Sequence, residues 1–235
     1  MTSAEILKKL QQLGNEGTAN VLIKHGAKKP CYGVKVEDLK KIQKQVKMNH
    51  DLALELFSSG VFDAMYLAGL VMDGNTMTQK EIISWAETNY GSSISSYTVP
   101  WVASESKYGL ELAMQWIQSD KEFVAVSGWA TLSALVTIKE DNELDIQQLK
   151  LLIDDVVKKI NTAPNRVKQA MNNFIISVGS YVLPLSDVAL KAAAKIGIVK
   201  VDVGDTACKI PLATEYINKV KTKGGIGKKR KTVKC

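Results

Sequence analysis

Lysines are concentrated near the start of the chain, in a spacing that suits contact with a polyanion. Residues 1–50 hold ten lysines against four acidic residues. Lys40, Lys44 and Lys47 fall on one side of a predicted helix. Ammonium groups in such a row can bind nucleic-acid phosphates by releasing condensed counterions, whereas the alternative is a solvated helix face. The whole cluster consists of Lys28, Lys29, Lys35, Lys40, Lys41, Lys44 and Lys47.

The far end of the chain is also basic. Residues 216–235 hold eight basic residues and no acidic one, whereas residues 51–215 hold 13 basic and 20 acidic residues. Apolar residues become scarce after Lys219 and several glycines follow, so we expect residues 219–235 to form a flexible basic tail. Such an arm could contact the nucleic-acid backbone or serve only for solubility. Its basic run consists of Lys228, Lys229, Arg230 and Lys231.

The sequence carries no motif for metal or cofactor chemistry. The two histidines and three widely spaced cysteines give no zinc-ligand spacing. No glycine-rich phosphate-binding loop lies between a predicted strand and helix, and no nucleophile–base pair can be identified. We therefore expect neither a metal nor a small-molecule cofactor.

The composition is that of a globular chain in a reducing compartment. Hydrophobic residues make up 46% and charged residues 23%, which excludes disorder across the chain. The odd number of cysteines argues against a disulfide scaffold. No apolar run approaches the roughly 20 residues needed to cross a bilayer, and the amphipathic N-terminus does not resemble a signal peptide. We expect a cytoplasmic protein without a membrane partner.

Helical periodicity dominates the chain. Apolar residues recur every three or four positions, most clearly between residues 149 and 160. The best strand candidate, residues 198–203, is short. The sequence therefore predicts an all-α fold. Three pairs carry the signal of a helix start, namely Asp145 with Gln148, Thr78 with Glu81, and Ser119 with Glu122.

Three predicted helices, over residues 62–72, 124–138 and 170–183, are apolar on nearly all sides. Helices of this kind are sandwiched between other helices. Similar segments recur at roughly 35–40 residues per helix pair, which is the spacing of HEAT-type repeats. We expect residues 1–218 to form a single HEAT-like domain, a curved solenoid with a concave face. An irregular helical bundle would show similar spacing.

Several of these segments resemble the AlkD-like DNA alkylation repair family. The run YGVKVEDLKKI at 32–42 resembles the start of that family. The helix FDAMYLAGLVMD, the segment 92–104 and the helix start RVKQA at 166–170 resemble later parts of it. The resemblance implies a HEAT-like solenoid that holds duplex DNA in its concave face. In active members it also implies excision of positively charged N-alkylated bases.

The chemistry implied by this resemblance needs a carboxylate beside the sugar, aromatic faces for the cationic base, and basic residues for the phosphates. In the family these groups are a tryptophan and an aspartate four residues apart, an arginine on the next inner helix, and a later tryptophan. The corresponding positions here are Ser96, Pro100, the stretch Val126–Trp129 and Asn173, and none of them matches. The chain is therefore expected to be a divergent member without the usual catalytic residues.

Trp101 and Glu105 could replace the missing aromatic–carboxylate pair, because a spacing of four residues puts them on one helix face. With such a pair the protein would be a glycosylase for N3- and N7-alkylated purines. The alternative is that Trp101 packs in the core and Glu105 is a solvated charge. Tyr97, on the same aromatic segment, is a candidate for DNA contact.

Further candidates for DNA contact lie on later helices, and each has a structural alternative. Trp129 lies among small residues that could open a groove or only permit close packing. Asn172 and Asn173 could reach a base edge or phosphate, or bridge neighbouring helices. Arg166 and Lys168 could clamp a phosphate or be ordinary surface charges.

These observations predict a monomeric DNA-binding protein of the alkylation repair family. Its partner would be double-stranded DNA, damaged or branched, and base excision is left open. The alternative is a non-catalytic helical-repeat scaffold for a protein partner or for structured DNA. A concave face lined by lysines favours DNA, whereas an exposed apolar patch favours a protein.

Overall fold

The regular secondary structure of the protein is entirely helical in the part of the chain that a computed structural model describes, residues 1–88 and 91–234. Besides α-helices, these residues form short 3-10 turns and one π-helical segment, Ile94–Thr98, and they contain no strand. The all-α prediction is confirmed. The helices are α1 (Ser3–Gln12), α2 (Glu16–Lys24), α3 (Val36–Val46), α4 (His50–Ser58), α5 (Phe62–Val71), α6 (Gln79–Glu87), α7 (Val99–Glu105), α8 (Gly109–Trp116), α9 (Glu122–Ile138), α10 (Ile146–Lys159), α11 (Asn165–Tyr181), α12 (Ser186–Ile196) and α13 (Ala213–Thr222).

Side-chain caps fix where several of these helices begin, including α6 and α10. Thr78 and Glu81 form a reciprocal capping box at the start of α6, so each satisfies the other's backbone N–H. Asp145 accepts a hydrogen bond from the backbone N–H of Gln148 at 2.9 Å at the start of α10. Both helix starts are those that the sequence predicts.

The chain divides into two compact units, where the sequence predicts one domain over residues 1–218. The first unit comprises Met1–Leu112, Val203–Ala207 and Lys234, and the second comprises Ala113–Asp202 and Cys208–Val233. The first unit is therefore discontinuous in sequence. Its later piece is attached through a contact between the His25 ring and the Thr206 hydroxyl, which are 3.0 Å apart.

Helix α5 is the central helix of the first unit. All ten of its residues are buried, and it packs against α1, α3, α4 and the π-helical segment. Gly69 permits the last of these contacts, because a Cβ there would lie 2.9 Å from the Cγ2 atom of Thr98. The predicted sandwiched helix over residues 62–72 is confirmed.

Helix α11 has the same place in the second unit, where it packs against α9, α12 and α13. Its Phe174 ring lies 5.3 Å from the ring of Trp129, between centroids. Within the described residues no single helix is long and apolar enough to span a membrane. The consecutive segments Asn165–Tyr181 and Leu183–Ile196 meet that test only as a pair, and the pair is bent by 115°.

Candidate nucleic-acid interface

Trp101 lies in the interior of the first unit, next to two tyrosines. It is 4% exposed, and its ring meets that of Tyr66 edge-on with centroids 5.2 Å apart. Pro100 lies in the first turn of α7, directly after the π-helical segment. The Trp101 ring therefore packs in the core, as one of the two sequence interpretations has it.

The Glu105 carboxylate, at the end of α7, has structural partners. Its Oε2 atom accepts a hydrogen bond from the backbone N–H of Gly74 at 3.1 Å and lies 2.9 Å from the Lys234 Nζ atom. The Lys234 ammonium also donates to the Met72 carbonyl oxygen. These contacts tie the 3-10 turn Gly74–Thr76 to α7. Glu105 is thus neither a solvated charge nor an unengaged carboxylate, and its catalytic role stays a prediction.

Tyr97 projects from the π-helical segment toward solvent. Its residue surface is 50% exposed, whereas Tyr66 is 9% exposed. The Tyr97 ring lies 6.4 Å from the Tyr66 ring and 6.0 Å from the Trp101 ring, between centroids. We call these three residues the aromatic cluster. A π-helical turn next to an α-helix is frequently found at functional sites.

Asp63 is a buried acid that sequence analysis did not single out. It is 2% exposed and accepts hydrogen bonds from the backbone N–H groups of Tyr32 at 2.6 Å and Val34 at 2.7 Å. These bonds fix the loop that leads into α3 and its lysines. Burial, and then the charge of Asp63, raise the pKa of the Cys31 thiol from 9.0 to about 11. The one available signal was an acid inside an otherwise apolar helix.

The loop that carries Lys28 and Lys29 is held against the segment that leads into the π-helix. The Ser92 hydroxyl donates to the His25 carbonyl oxygen at 2.8 Å. Gly91 has a φ of 111° and lies so close that a Cβ there would be 2.3 Å from the carbonyl oxygen of residue 26. Only glycine fits both the conformation and the space. The loop is therefore joined closely to the residues just before the π-helical segment.

The lysines between residues 28 and 47 differ in whether an acid neutralises them. Lys41 lies 2.7 Å from Asp38, so part of its charge is already balanced. Within the described residues, no acidic side chain forms an ion pair with Lys29, Lys35, Lys40 or Lys44. Lys40 is partly exposed and the other three are exposed. Lys28 is exposed as well.

Two of the candidates in the second unit are buried. Trp129 is 1% exposed, and Gly128 beside it permits the close approach of residue 117, whose backbone nitrogen would be 2.7 Å from a Cβ. Asn172 is 0% exposed and its Nδ2 atom donates to the Pro211 carbonyl oxygen at 2.9 Å. Both side chains therefore pack inside the second unit. Asn173 is exposed.

Arg166 and Lys168 lie at the start of α11 and are partly exposed. The backbone N–H of Arg166 donates to the Glu122 carboxylate at 2.6 Å. A carboxylate therefore already occupies this helix start, where an anion is favoured. The Arg166 guanidinium makes a long contact of 3.4 Å with the Gln169 side chain.

The C-terminal segment has defined contacts within the second unit. Its predicted boundary at residue 219 falls inside α13. The Lys229 side chain is 7% exposed and its Nζ atom lies 2.8 Å from the Asp141 carboxylate, and the backbone N–H of Arg230 donates to the Thr137 carbonyl oxygen at 2.9 Å. Lys228 and Arg230 are exposed. Flexibility of residues 219–235 stays a prediction, and Cys235 lies outside the described residues.

A cavity of about 550 Å³ lies between α4 and α6 in the first unit. The rings of Phe57 and Trp85 line it, stacked on each other with centroids 4.0 Å apart and an interplanar angle of 3°. Their facing surfaces are therefore already covered. In residues 1–88 and 91–234 no group of three or more His, Cys, Asp or Glu side chains is arranged to hold a metal ion.

The helical architecture has a close counterpart among solved structures. A structure described as "A new family of proteins related to the HEAT-like repeat DNA glycosylases with affinity for branched DNA structures" matches with a TM-score of 0.90 and 33% sequence identity, over 100% of both chains. The protein is therefore of the HEAT-like helical-repeat class, as predicted.

A family model described as DNA alkylation repair enzyme matches residues 6–216. The chain belongs to this family, which confirms the resemblance seen in the sequence. It is also 32% identical to the uncharacterized protein Lmo0209 of Listeria monocytogenes and 31% identical to the uncharacterized protein Lin0241 of Listeria innocua. Each alignment covers 95% of this chain and 99% of the relative.

Proposed function

We propose that this protein binds DNA, both linear duplexes and branched forms, through the lysines of its first unit. The observation that carries the proposal is the set of exposed or partly exposed lysines that no acid neutralises among the described residues. Their charge is therefore available to replace the counterions condensed on DNA phosphates. The set consists of Lys29, Lys35, Lys40 and Lys44, and we call it the N-terminal lysines.

Two further facts support this proposal. The chain belongs to a family of DNA alkylation repair enzymes. The solved relative is described as having affinity for branched DNA structures, and at 33% identity over the full length a shared ligand class is the simplest expectation. We accordingly propose DNA as the partner, with damaged sites or branches as the preferred form.

Base excision has less support than binding. The positions that correspond to the family's tryptophan, aspartate and arginine carry other residues, and the Glu105 carboxylate is engaged by Gly74 and Lys234. We propose a DNA-binding protein that acts as a monomer in the cytoplasm without a cofactor.

The test is the salt dependence of DNA affinity. We expect the slope of log K against log salt to fall in magnitude by about 1.8 in the double variant Lys40→Ala, Lys44→Ala, since each phosphate contact contributes about 0.9. The matched control is Lys158→Ala, Lys159→Ala, which removes the same charge from α10. Fluorescence anisotropy with a labelled duplex measures both slopes.

Two results would contradict the proposal. An equal loss of slope in the control would mean that only net charge matters. Wild-type affinity that is absent, or that does not change with salt, would favour the alternative of a helical scaffold for a protein partner.

A further inference from the structure

We propose that the exposed ring of Tyr97 stacks on an unpaired base at a DNA branch point and so makes the protein prefer branched over linear DNA. This inference rests on the proposed function, because it requires DNA to reach the first unit. It adds what that function leaves open, namely the group that recognises the branch.

The ring of Tyr97 contacts two buried aromatic rings, and half of the residue's surface is exposed. Its centroid lies 6.4 Å from that of Tyr66 and 6.0 Å from that of Trp101. Those two neighbours are 9% and 4% exposed, so they are fixed in the core, whereas Tyr97 is 50% exposed. An aromatic ring that is fixed before binding loses little conformational entropy when a base stacks on it.

The backbone explains why this ring projects. The π-helical segment Ile94–Thr98 precedes α7, and the wider turn changes the direction of its side chains relative to a continuous α-helix. On the inner side, α5 approaches closely, since a Cβ on Gly69 would lie 2.9 Å from Thr98 and 3.2 Å from Trp101. The segment is thus pressed against a buried helix while Tyr97 faces outward.

Cationic groups lie on a neighbouring part of the same unit. The loop carrying Lys28 and Lys29 is fastened to the residues just before the π-helix by the hydrogen bond from Ser92 to the His25 carbonyl oxygen, 2.8 Å long. Both lysines are exposed. An aromatic platform beside a positive surface is the combination that proteins use to bind unpaired nucleotides.

The geometry of DNA explains why this platform would select branches. In a linear duplex each internal base is covered on both faces by its neighbours. A protein ring can therefore stack on such a base only after the base is unstacked, which costs free energy. At a fork or junction the stack is interrupted and a base face is accessible. Stacking on Tyr97 therefore adds affinity only where the duplex is interrupted.

Other aromatic side chains fit this role less well. Phe57 and Trp85 stack on each other, and Trp129 is 1% exposed. Tyr216, on α13 of the second unit, is 52% exposed, and no ring contact is recorded for it among the described residues. It is therefore a matched control, equal to Tyr97 in residue type and exposure.

The experiment compares three DNA probes with four proteins. The probes are a forked duplex with unpaired arms, the same fork with an abasic site replacing the unpaired base at the branch, and a linear duplex of the same arm sequence. The proteins are the wild type, Tyr97→Ala, Tyr97→Phe and Tyr216→Ala. We expect Tyr97→Ala to bind the fork about tenfold more weakly and the linear duplex within about twofold of wild type.

The abasic fork isolates the stacking contact. Wild type should lose about the same tenfold factor on it, and Tyr97→Ala should lose nothing further, because the partner of the ring is already gone. Tyr97→Phe and Tyr216→Ala should bind all three probes as wild type does. 2-Aminopurine at the branch should change fluorescence on binding wild type and not on binding Tyr97→Ala.

Each unfavourable outcome has a distinct meaning. Equal weakening of fork and linear duplex by Tyr97→Ala would overturn the proposal, and so would full wild-type affinity for the abasic fork. The latter measurement uses only wild-type protein, so it remains decisive if a variant misfolds. Loss of the salt-dependent affinity of wild type for every probe would instead mark failure of the proposed function.

Discussion

The buried side chain of Asp63 positions the loop that leads to the exposed lysines of α3. Its carboxylate accepts two backbone N–H groups of the loop before α3, and that loop ends at the lysines of α3. Buried acceptors of this kind are costly to remove, since the donors that they leave behind cannot find water. The arrangement of the N-terminal lysines thus depends on an acid that never reaches the surface.

We expect Asp63→Ala to lower the free energy of unfolding by about 3 kcal/mol, because one buried and one partly buried N–H group lose their acceptor. Asp63→Asn should lose less, since the amide oxygen can still accept one bond. Urea denaturation measures both changes. The exposed Asp154 on α10 provides the control, and Asp154→Ala should stay within about 0.5 kcal/mol of wild type. Equal stability of Asp63→Ala and wild type would show that the loop is not fastened in this way.

At the level of single residues, the sequence identified candidate residues but left open what each of them contacts. Trp101 was a candidate catalytic residue with a core alternative, and it is buried. Neither alternative for Glu105 anticipated its contacts with Gly74 and Lys234, because these partners lie 31 and 129 positions away along the chain. Periodicity reports on local neighbours, so contacts between distant segments are outside its reach.

Helix ends were predicted where a local cap determines them. The capping box of Thr78 with Glu81 and the cap at Asp145 were both correct. The predicted start at Ser119 was wrong, because α9 begins at Glu122 after Lys121 and the Ser119 hydroxyl instead accepts from the Lys121 N–H at 3.2 Å. The Glu122 side chain is used elsewhere, as the acceptor at the start of α11.

The π-helical segment could not have been predicted from periodicity. The sequence indicates a helix near residues 94–104, and Pro100 fits it only in a first turn. The structure satisfies both conditions by placing a π-helical turn before α7. Because hydrogen bonds in a π-helix span one residue more than those in an α-helix, the direction of Tyr97 could not be read from its position.

At the element scale, we expect Glu105 to act as a tie between α7 and the 3-10 turn Gly74–Thr76. Glu105→Gln keeps an acceptor for the Gly74 N–H but loses the charge opposite Lys234, so stability should fall by about 1 kcal/mol. Glu105→Ala loses both contacts and should cost about 2 kcal/mol. Thermal unfolding followed by circular dichroism measures these effects.

The same Glu105→Gln variant tests the catalytic interpretation. Duplex DNA carrying N3- and N7-alkylpurines is incubated with wild type and variant, and free base is measured by chromatography. We expect no difference between the two proteins. Base release by wild type that disappears in Glu105→Gln would restore the carboxylate to a catalytic role.

For the whole molecule, the sequence predicts the fold class and the family better than it predicts which charged residues form contacts. The sequence correctly indicated the all-α class, the HEAT-like repeat and the family, because apolar helices such as α5 repeat the same pattern. It gave no sign that the C-terminal segment has partners. Lys229 and Arg230 look like members of a charged arm, yet one contacts Asp141 and the other contacts a backbone carbonyl group.

We expect removal of residues 224–235 to lower the melting temperature by about 6 to 12 °C, which corresponds to about 3 kcal/mol for a chain of this size. The lost contacts include the packing of Ile226 against the core of the second unit and the partly exposed Lys229–Asp141 pair. As the control, Lys228→Gln with Lys231→Gln removes exposed charge and should leave stability unchanged. An unchanged melting temperature after truncation would support the flexible tail that the sequence suggests.

The discontinuity of the first unit bears on how this protein is made. The ribosome delivers the chain from its N-terminus, yet the contact of Thr206 with His25 can form only after the whole stretch between residues 112 and 203 has emerged. At roughly 5 to 20 residues per second, that delay is about 5 to 20 seconds. During this time the nascent first unit lacks the contact between His25 and Thr206. The unit is therefore completed near the end of translation and not at its beginning.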